Sequence, residues 1–593
     1  MSYEADQKKL EALWAEIDDD AIESGSEDDI DHISESDHNT DSVQDIAIED
    51  VLSDGDSDRE TSKTELQNET ENKSTDGPPR NGEMYLGKDG TQWNKLASNK
   101  QVRTRSENII THLPGVKHYA KNAKCALDCW QLFFDRQMIK DIVRWTNLKI
   151  QQKSITYQNK CMVKPTNECE IKAFIGLLYL AGMFHSNRQN LRDLWQTDGT
   201  GVDIFRNTMS INRFQFLMVC LRFDNIENRK DRLAIDKLAP VRGILDKFIE
   251  NCKQAYTPSQ YLTIDEKLES FRGRCAFKQY MPNKPAKYGV KVQALVDARS
   301  YYVLNLEVYA GKQPEGPYSV SNSPIDIVER LIQPISGSNR NVTFDNWYTS
   351  YELMIKLLKE HKLTSVGTLR KNKRCIPAQF LTVQNREQKT SLFGYQKDIT
   401  LLSYVPKKNK NVLLLSTMHH DGAVDEATGD KNLPEIISFY NFTKSGVDVV
   451  DELSASYNVS RNSRRWPLTL VFSLLNAAAI NALVIYRENN QDFKLGRRLF
   501  IKMLGFELIH DHISERKNNP RIPRSIRQNS SKHFGQDAPA VPPAKVPKLM
   551  GRCSVCPRSR DRKTKYFCSN CESLLCLEHA VISCQNCMNS NSD

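Results

Sequence analysis

The spacing of apolar residues along the 593-residue chain changes from helical to strand-like and back. Between about 125 and 255, apolar residues recur at i, i+3 and i+4, which predicts amphipathic helices. From about 261 the apolar positions form short β-branched or aromatic runs between turn residues and helical stretches, and residues 372–432 are strand-rich. Helical spacing returns from about 446 to 510. The pattern predicts a mixed β/α region with a central sheet, flanked by helices on both sides in sequence.

One apolar run is long enough to suggest a membrane span. Leu468–Tyr486 contains no charged residue, but it includes Thr469, Ser473, Asn476 and Asn481. Polar groups are costly in a bilayer core, so this run favours a buried helix of a soluble core. The first residues also lack the basic and apolar regions of a secretory signal, and we expect no membrane partner.

Charge divides the chain into an acidic start and a basic remainder. Residues 1–80 contain 26 Asp and Glu against 6 Lys and Arg, a net charge of −20, whereas residues 81–593 carry a net charge of +28. The acidic segment has too little apolar content to fold and is expected to be a disordered tail, with serines that would suit an acid-directed kinase. A body this basic points to nucleic acid as the partner.

The C-terminal region contains eight potential soft metal ligands in four pairs, each with two intervening residues. They are Cys553, Cys556, Cys568, Cys571, Cys576, His579, Cys584 and Cys587. This spacing predicts two closed, structural Zn²⁺ sites, since four such ligands fill one tetrahedral site. An interleaved cross-brace is one arrangement, but the spacing alone does not assign ligands to sites. The histidine stands sixth, which argues against a RING finger, and the basic insert at 558–565 better suits DNA or nuclear import.

Four aspartates form a second candidate metal site. Asp265 and Asp345 each close a strand of the form apolar-Thr-apolar-Asp, and Asp448 lies near a helix start with Asp451 one turn further along. Converging carboxylates are suited to bind a pair of Mg²⁺ ions that promote attack on phosphorus. Each aspartate taken singly has an equally good structural explanation as a strand end, a turn residue or a helix cap.

The sequence around these aspartates resembles the motifs of piggyBac-type transposases, which use an Asp-Asp-Asp/Glu (DDE/D) catalytic site. The similar segments are 262–275 with 281–291, 341–350 with 366–374, and 444–451 with 461–467. The terminal cysteine module is similar as well, and the motifs follow the family order from about 115 to 593.

The resemblance implies a multidomain α/β protein with an RNase H-like catalytic core, an inserted β-rich domain, a flanking helical domain for DNA binding and dimerisation, and a two-zinc cross-brace module. The expected division is an acidic tail at 1–80, a basic linker at 81–115, a helical domain at 116–260 and 458–535, a catalytic core at 261–371 and 433–457, an insertion domain at 372–432, a linker at 536–550 and a cysteine-rich domain at 551–593.

The implied function is cut-and-paste DNA transposition. Family members bind the terminal repeats of the element, excise it with hairpin formation, and integrate it at TTAA targets. By this resemblance Asp265, Asp345 and Asp448 bind Mg²⁺ or Mn²⁺, and Asp451 is an auxiliary carboxylate. A homodimer in the nucleus is expected, since two ends of chromosomal DNA are cut together. The alternative is a domesticated, non-catalytic protein that only binds specific DNA sequences.

Basic residues near the motifs are the candidate DNA contacts. They are Arg272, Arg274, Lys284, Lys287 and Lys291 after the first aspartate, Arg370 and Lys373, which match family positions, and Arg461, Arg464 and Arg465 beside Trp466. Arginine and lysine bind phosphates, and an aromatic ring stacks on distorted DNA ends.

Overall fold

The computed structural model describes most of the chain after residue 83. The described residues are 84–97, 105–155, 157, 162–282, 284–491, 495–527, 529, 551–560, 562–566, 568 and 573–580, with the backbone of 34–35. The chain is divided into two compact units, Met1–Arg527 and Gln528–Asp593. The first contains the helices and the large sheet, and the second contains the cysteine module.

Fourteen α-helices and sixteen strands are assigned in the described residues, besides short 3₁₀ helices. The helices are α1 (Ala126–Gln131), α2 (Arg136–Ser154), α3 (Glu168–Met183), α4 (Asp203–Thr208), α5 (Ile211–Cys220), α6 (Arg229–Leu233), α7 (Arg242–Ala255), α8 (Pro324–Ile332), α9 (Tyr351–His361), α10 (Ala378–Leu381), α11 (Glu435–Thr443), α12 (Gly446–Ser456), α13 (Trp466–Asn489) and α14 (Arg497–Lys517). The strands are β1 (Ser34–Glu35), β2 (Met84–Leu86), β3 (Gln92–Asn94), β4 (Gly115–Val116), β5 (Tyr256–Thr257), β6 (Tyr261–Ser270), β7 (Lys278–Tyr280), β8 (Tyr288–Asp297), β9 (Val303–Val308), β10 (Asn341–Phe344), β11 (Thr364–Thr368), β12 (Ser391–Tyr395), β13 (Thr400–Lys407), β14 (Lys410–Ser416), β15 (Gly551–Arg552) and β16 (Lys563–Thr564).

A mixed sheet of twelve strands forms the centre of the first unit. Its order is β1-β7-β8-β6-β10-β11-β14-β13-β12-β3-β2, and β9 also pairs with β8. Strands β6, β8 and β9 form an antiparallel meander, and β10 and β11 continue from β6 in parallel. Strand β8 is buried along almost its whole length, as expected for a strand covered on both faces.

The register between β6 and β10 positions the first two candidate aspartates. Phe344 pairs with Ile264, so that Asp345 and Asp265, the next residue of each chain segment, come to the same level of the sheet. Because parallel strands run in the same direction, both side chains emerge at one place. Asp265 and Asp345, which are far apart in sequence, therefore lie at the ends of pairing segments on neighbouring strands.

Helix α13 connects the helical part to the sheet. It is long and apolar enough to cross a membrane by length and composition, but 89% of its apolar window is buried inside the protein. Its Asn481 accepts a hydrogen bond from Val303 N at 2.8 Å and donates one to Val303 O at 2.9 Å. Tyr179 Oη of α3 donates to Leu475 O at 2.7 Å. Asn481, one of the polar residues in this run, is therefore a partner of buried backbone groups.

Two regions differ from the predicted organisation. Residues 84–94, within the predicted linker 81–115, form the hairpin β2–β3 at one edge of the sheet, where Trp93 is fully buried and its Nε1 donates to Cys375 O at 2.9 Å. A single buried tryptophan anchors this segment. The linker was predicted from its basic residues alone, without regard to this tryptophan. Strands β12 to β14 of the region 372–432 continue the central sheet, since β14 pairs with β11.

The acidic segment 1–80 lies outside the described residues, apart from the backbone of Ser34–Glu35, which pairs in parallel with Gln279–Tyr280. The linker 536–550 also lies outside them.

Close packing of α12 on β6 generates a prediction about stability. A Cβ on Gly446 would lie 2.5 Å from Thr263 Oγ1, so we expect Gly446→Ala to force the helix away from the strand at a cost of about 1–3 kcal/mol. Gly243→Ala in α7 is the matched control, because a Cβ there meets nothing within 4 Å and alanine favours a helix. Thermal melting should show a lower midpoint for the first variant only. Equal midpoints for both variants would contradict the close approach of α12.

Candidate functional site

Three carboxylates converge beside the central sheet. The side chains of Asp265, Glu266 and Asp345 each offer an oxygen, and these oxygens all lie within 4.8 Å of one another. Asp265 and Asp345 are half-buried, and Glu266 is buried. Oxygen ligands at this density suit hard divalent cations such as Mg²⁺.

Local hydrogen bonds fix two of these carboxylates. Trp347 N donates to Asp345 Oδ1 at 2.9 Å, and Thr349 Oγ1 donates to Asp345 O at 2.6 Å. Glu266 N donates to Asp265 Oδ1 at 2.8 Å. The turn that follows β10 therefore orients Asp345, as expected for an Asp at the start of a turn.

The surroundings oppose ionisation of the converging carboxylates. Burial, with the charge of Glu266 as the next contribution, raises the pKa of Asp345 to about 7. The same two causes raise the pKa of Asp265 well above its usual range. Like charges at such short range disfavour joint ionisation, and a bound cation removes that penalty. The electrostatics thus fit a divalent ion at this position.

Asp448 and Asp451 come from α12, one turn apart. The helix lies against β6 because Gly446 leaves room for Thr263, whose Oγ1 donates to Thr443 O at 2.5 Å. Asp448 lies outside the three-carboxylate group, and its side chain is 63% exposed. The helix therefore presents Asp448 to solvent.

Lysines lie between the carboxylates of the sheet and those of α12. Lys284 Nζ is 3.6 Å from Asp448 Oδ1, and although burial opposes its charge, Asp265 and Asp448 raise the pKa of Lys284. Lys267 Nζ is 3.3 Å from Asp451 Oδ1 and 3.1 Å from Glu269 Oε1. Asp451 is thus one half of an ion pair with a buried lysine.

Sequence reasoning did not single out Glu266 or Lys267. Neighbours along a strand ordinarily point to opposite faces, so the alternation of the strand does not group Glu266 with Asp265. The available signal was the run Asp265-Glu266-Lys267 in the middle of a predicted strand, because charged residues are rarely buried without partners.

The candidate DNA-binding residues divide by exposure. The exposed members are Arg272, Arg274, Lys287, Lys373 and Arg464; the half-buried ones are Lys284, Arg370, Arg461, Arg465 and Trp466; Lys291 is buried. A Cβ on Gly273 would lie 2.6 Å from Arg464 O, so the turn carrying Arg272 and Arg274 abuts the segment of Arg464. Exposed arginines from two distant segments therefore lie on one surface.

Several of the remaining candidates have partners within the protein. Arg461 donates to Ser186 O and Gln189 O at 2.5 and 2.9 Å. Arg465 Nη2 donates to Leu221 O at 2.6 Å, just beyond the end of α5. Orphan carbonyls at a helix end are ordinarily satisfied in this way. These two guanidinium groups thus stabilise the fold.

The other candidates also have contacts. Lys291 Nζ lies 4.4 Å from the ring centroid of Trp347, and Arg370 Nε donates to Asn346 Oδ1 at 3.3 Å. Both contacts are made to the turn after Asp345. The ring of Trp466 makes an edge contact with Phe277 at a centroid distance of 5.0 Å. These side chains therefore support the turn and the start of α13.

The second unit groups four soft ligands. Cys553, Cys556, Cys576 and His579 have ligand atoms within 4.8 Å of one another, and the antiparallel pair β15–β16 precedes and follows the first two cysteines. These residues are the first and third of the four predicted pairs, an interleaved grouping. Cys568 is described outside the group, and Cys571, Cys584 and Cys587 lie outside the described residues.

The spacing of these atoms suits a tetrahedral ion. His579 Nδ1 is 3.3 Å from Cys576 Sγ, 3.5 Å from Cys556 Sγ and 3.7 Å from Cys553 Sγ, and the two sulfurs of Cys556 and Cys576 are 3.7 Å apart. Vertices of a zinc tetrahedron with bonds of about 2.0–2.3 Å lie roughly 3.3–3.8 Å apart. The donor set and its distances therefore fit Zn²⁺.

Much of this chain is similar in sequence to known proteins. Residues 125–483 match a family model described as Transposase IS4. Human piggyBac transposable element-derived protein 3 is 24% identical over 471 residues, which cover 76% of this chain and 74% of that protein. Human piggyBac transposable element-derived protein 2 is 24% identical over 429 residues, covering 68% and 69% respectively.

A solved structure is similar as well. The protein in a cryo-EM structure of the piggyBac transposase synaptic complex with hairpin DNA is 35% identical and superimposes with a TM-score of 0.68, and the match covers 80% of this chain and all of that one. Because the family model spans more than half of the chain and the solved transposase is covered completely, this chain belongs to the piggyBac-type transposase family.

Proposed function

We propose that the protein is a cut-and-paste DNA transposase whose catalytic site is built on β6, β10 and α12. The observation that carries the proposal is the convergence of Asp265, Glu266 and Asp345 within 4.8 Å in a member of this family. The sheet order β9-β8-β6-β10-β11 is compatible with the RNase H-like core that the resemblance implies. Excision with hairpin formation and integration at TTAA belong to the same proposal.

In this site Asp265, Asp345 and Asp448 would hold divalent ions, with Mg²⁺ or Mn²⁺ as the cofactor. Such ions, when bound, activate an attacking oxygen and stabilise the leaving one. Glu266 adds a fourth carboxylate that sequence reasoning did not include. Asp451 acts on the site through Lys267, with which it shares an ion pair, and we assign it a positioning role.

DNA phosphates would contact the exposed basic residues rather than the full set of candidates. Arg272, Arg274 and Arg464 share one surface, and Lys287 and Lys373 are exposed. Long-range attraction to phosphate needs charge that solvent and DNA reach. Arg461 and Arg465 would affect DNA binding only through the fold, because backbone carbonyls already occupy their guanidinium groups.

The cysteine module would hold structural zinc, and the protein would act as a homodimer in the nucleus. Four described ligands suit one Zn²⁺, and the second predicted ion would need ligands outside the described residues. A module of this size has little core of its own, so metal binding would supply much of its folding free energy. Recognition of the transposon ends is proposed for this module by the resemblance.

An excision assay tests the enzymatic proposal. A reporter carries the sequences that flank the gene for this chain, and wild type is expected to excise it in Mg²⁺. Asp345→Asn should lower excision at least about a thousandfold while end binding persists, since a lost ligand removes several kcal/mol of transition-state stabilisation. Asp430→Asn, an exposed change of the same charge, is the control and should retain activity.

If wild type binds these ends and excises nothing, the alternative of a domesticated, non-catalytic DNA-binding protein is correct. The human relatives are named as proteins derived from transposable elements, which is consistent with that alternative.

The raised pKa values predict how pH and metal affect stability. Between the ordinary value of 3.8 and about 7, folded Asp345 keeps a proton that the unfolded chain loses, so its contribution to the free energy of unfolding falls as pH rises. In EDTA, Asp345→Asn should therefore melt above wild type at pH 8, by roughly a few degrees, and the difference should shrink at pH 5. Mg²⁺ should raise the melting temperature of wild type at pH 8 and leave the variant unchanged.

Differential scanning calorimetry in both buffers provides the comparison, with Asp430→Asn as the control for the change in net charge. A constant difference in melting temperature from pH 5 to pH 8 would show that the carboxylates do not repel one another. An equal effect of Mg²⁺ on wild type and Asp345→Asn would show that they do not bind the ion.

A further inference from the structure

A further group of metal-ligand side chains lies in the helical part, apart from the carboxylates at the sheet and the cysteine module. Cys169 on α3 and His512 and Glu515 on α14 each offer a ligand atom, and these atoms lie within 4.8 Å of one another. We call Cys169, His512 and Glu515 the helix-pair site. Cys169 is half-buried, His512 is buried and Glu515 is exposed, so the group is open to solvent on one side.

The packing of two helices brings these residues together. His512 and Glu515 are three residues apart on α14, and this spacing puts them on the same face of the helix. A Cβ on Gly176 of α3 would lie 2.7 Å from Ile509 Cγ2 and 2.9 Å from Gly505 O, so the two backbones approach closely. The close approach brings the first turn of α3, which contains Cys169, against the last turns of α14.

His512 supplies an independent indication of a ligand. Its side chain is only 6% exposed, and its Nδ1 has no hydrogen-bond partner among the described residues. An unpaired buried polar atom destabilises a fold unless a ligand satisfies it.

Charged neighbours of His512 have partners of their own. Glu170 forms a buried ion pair with Arg213, with Nη2 and Oε2 2.6 Å apart, and Arg516 Nε donates to Asn207 O at 2.9 Å. Lys164, a further charged neighbour, has its Nζ 4.0 Å from Glu170 Oε1. Glu170, Arg516 and Lys164 thus have partners other than the imidazole, whereas Cys169 and Glu515 each offer it a neighbouring ligand atom.

We propose that Cys169, His512 and Glu515 bind one Zn²⁺ ion, with water as the fourth ligand. Thiolate, imidazole and carboxylate are all zinc ligands, and the mixed set favours a borderline metal over Mg²⁺. The ion displaces the thiol proton, which passes to solvent. Because α3 and α14 come from the two sequence segments that flank the central sheet, the ion would join the two halves of the helical part.

Zinc content of the full-length protein tests the proposal. Wild type and variants are expressed in medium supplemented with ZnCl₂, purified, and freed of excess ion by gel filtration. Their zinc content per chain is then measured by plasma mass spectrometry. Cys169→Ser is expected to contain one zinc fewer per chain than wild type. The ligands of the cysteine module are unchanged in every variant, so their zinc cancels in the difference.

Two further variants keep the result interpretable. Cys125→Ser replaces another half-buried cysteine with a residue that also caps a helix, and it should contain as much zinc as wild type. Glu515→Gln changes an exposed side chain that folding tolerates, and it should raise the dissociation constant for zinc in the helical part at least about tenfold. Equal zinc content and equal affinity in wild type, Cys169→Ser and Glu515→Gln would overturn the proposal. If Cys169→Ser does not fold, Glu515→Gln decides it.

Discussion

Asp265 and Asp345 lie at one level of two adjacent parallel strands, and Glu266 adds a third carboxylate at the same place. Burial and mutual repulsion raise the pKa values of the two aspartates, so the fold holds charges together that would otherwise separate. Such an arrangement persists only where the backbone is rigid and where cations are available. Lys284 provides a nearby cation from the protein itself, and divalent ions would provide a stronger one.

Rigidity around these carboxylates comes from contacts of α12 and α13 with strands β6 and β9. Helix α12 rests on β6 through Gly446 and Thr263, and α13 pairs with the backbone of β9 through Asn481. Ser473 of α13 donates to Glu269 at 2.5 Å, which in turn binds Lys267 and, through it, Asp451. The helical part therefore contacts the strand that contains Asp265. A zinc ion between α3 and α14 would stiffen the helical part of the same unit.

The sequence predicts the strands β6 and β10 and the proximity of Asp265 and Asp345 because both depend on local patterns, whereas Asp448 lies outside their group. Apolar alternation marks β6 and β10, and the repeated form apolar-Thr-apolar-Asp aligns their ends. The hairpin around Trp93 was not predicted, since composition averages over a basic segment and one buried ring decides its structure. The exposure of the arginines was also beyond prediction: Arg461 and Arg465 bind carbonyls of segments more than two hundred residues away, whereas Arg272 and Arg274 face solvent. The same applies to Cys169 and His512, whose meeting depends on a helix crossing at Gly176.

The most direct test of the central claim is an anomalous difference map of the full-length protein crystallised with Mn²⁺. The account predicts a Mn²⁺ peak bound by carboxylate oxygens of both Asp265 and Asp345, with Lys284 displaced from its position beside Asp448. Peaks elsewhere only, with Lys284 still in contact with Asp448 and no ion between the two strands, would contradict it.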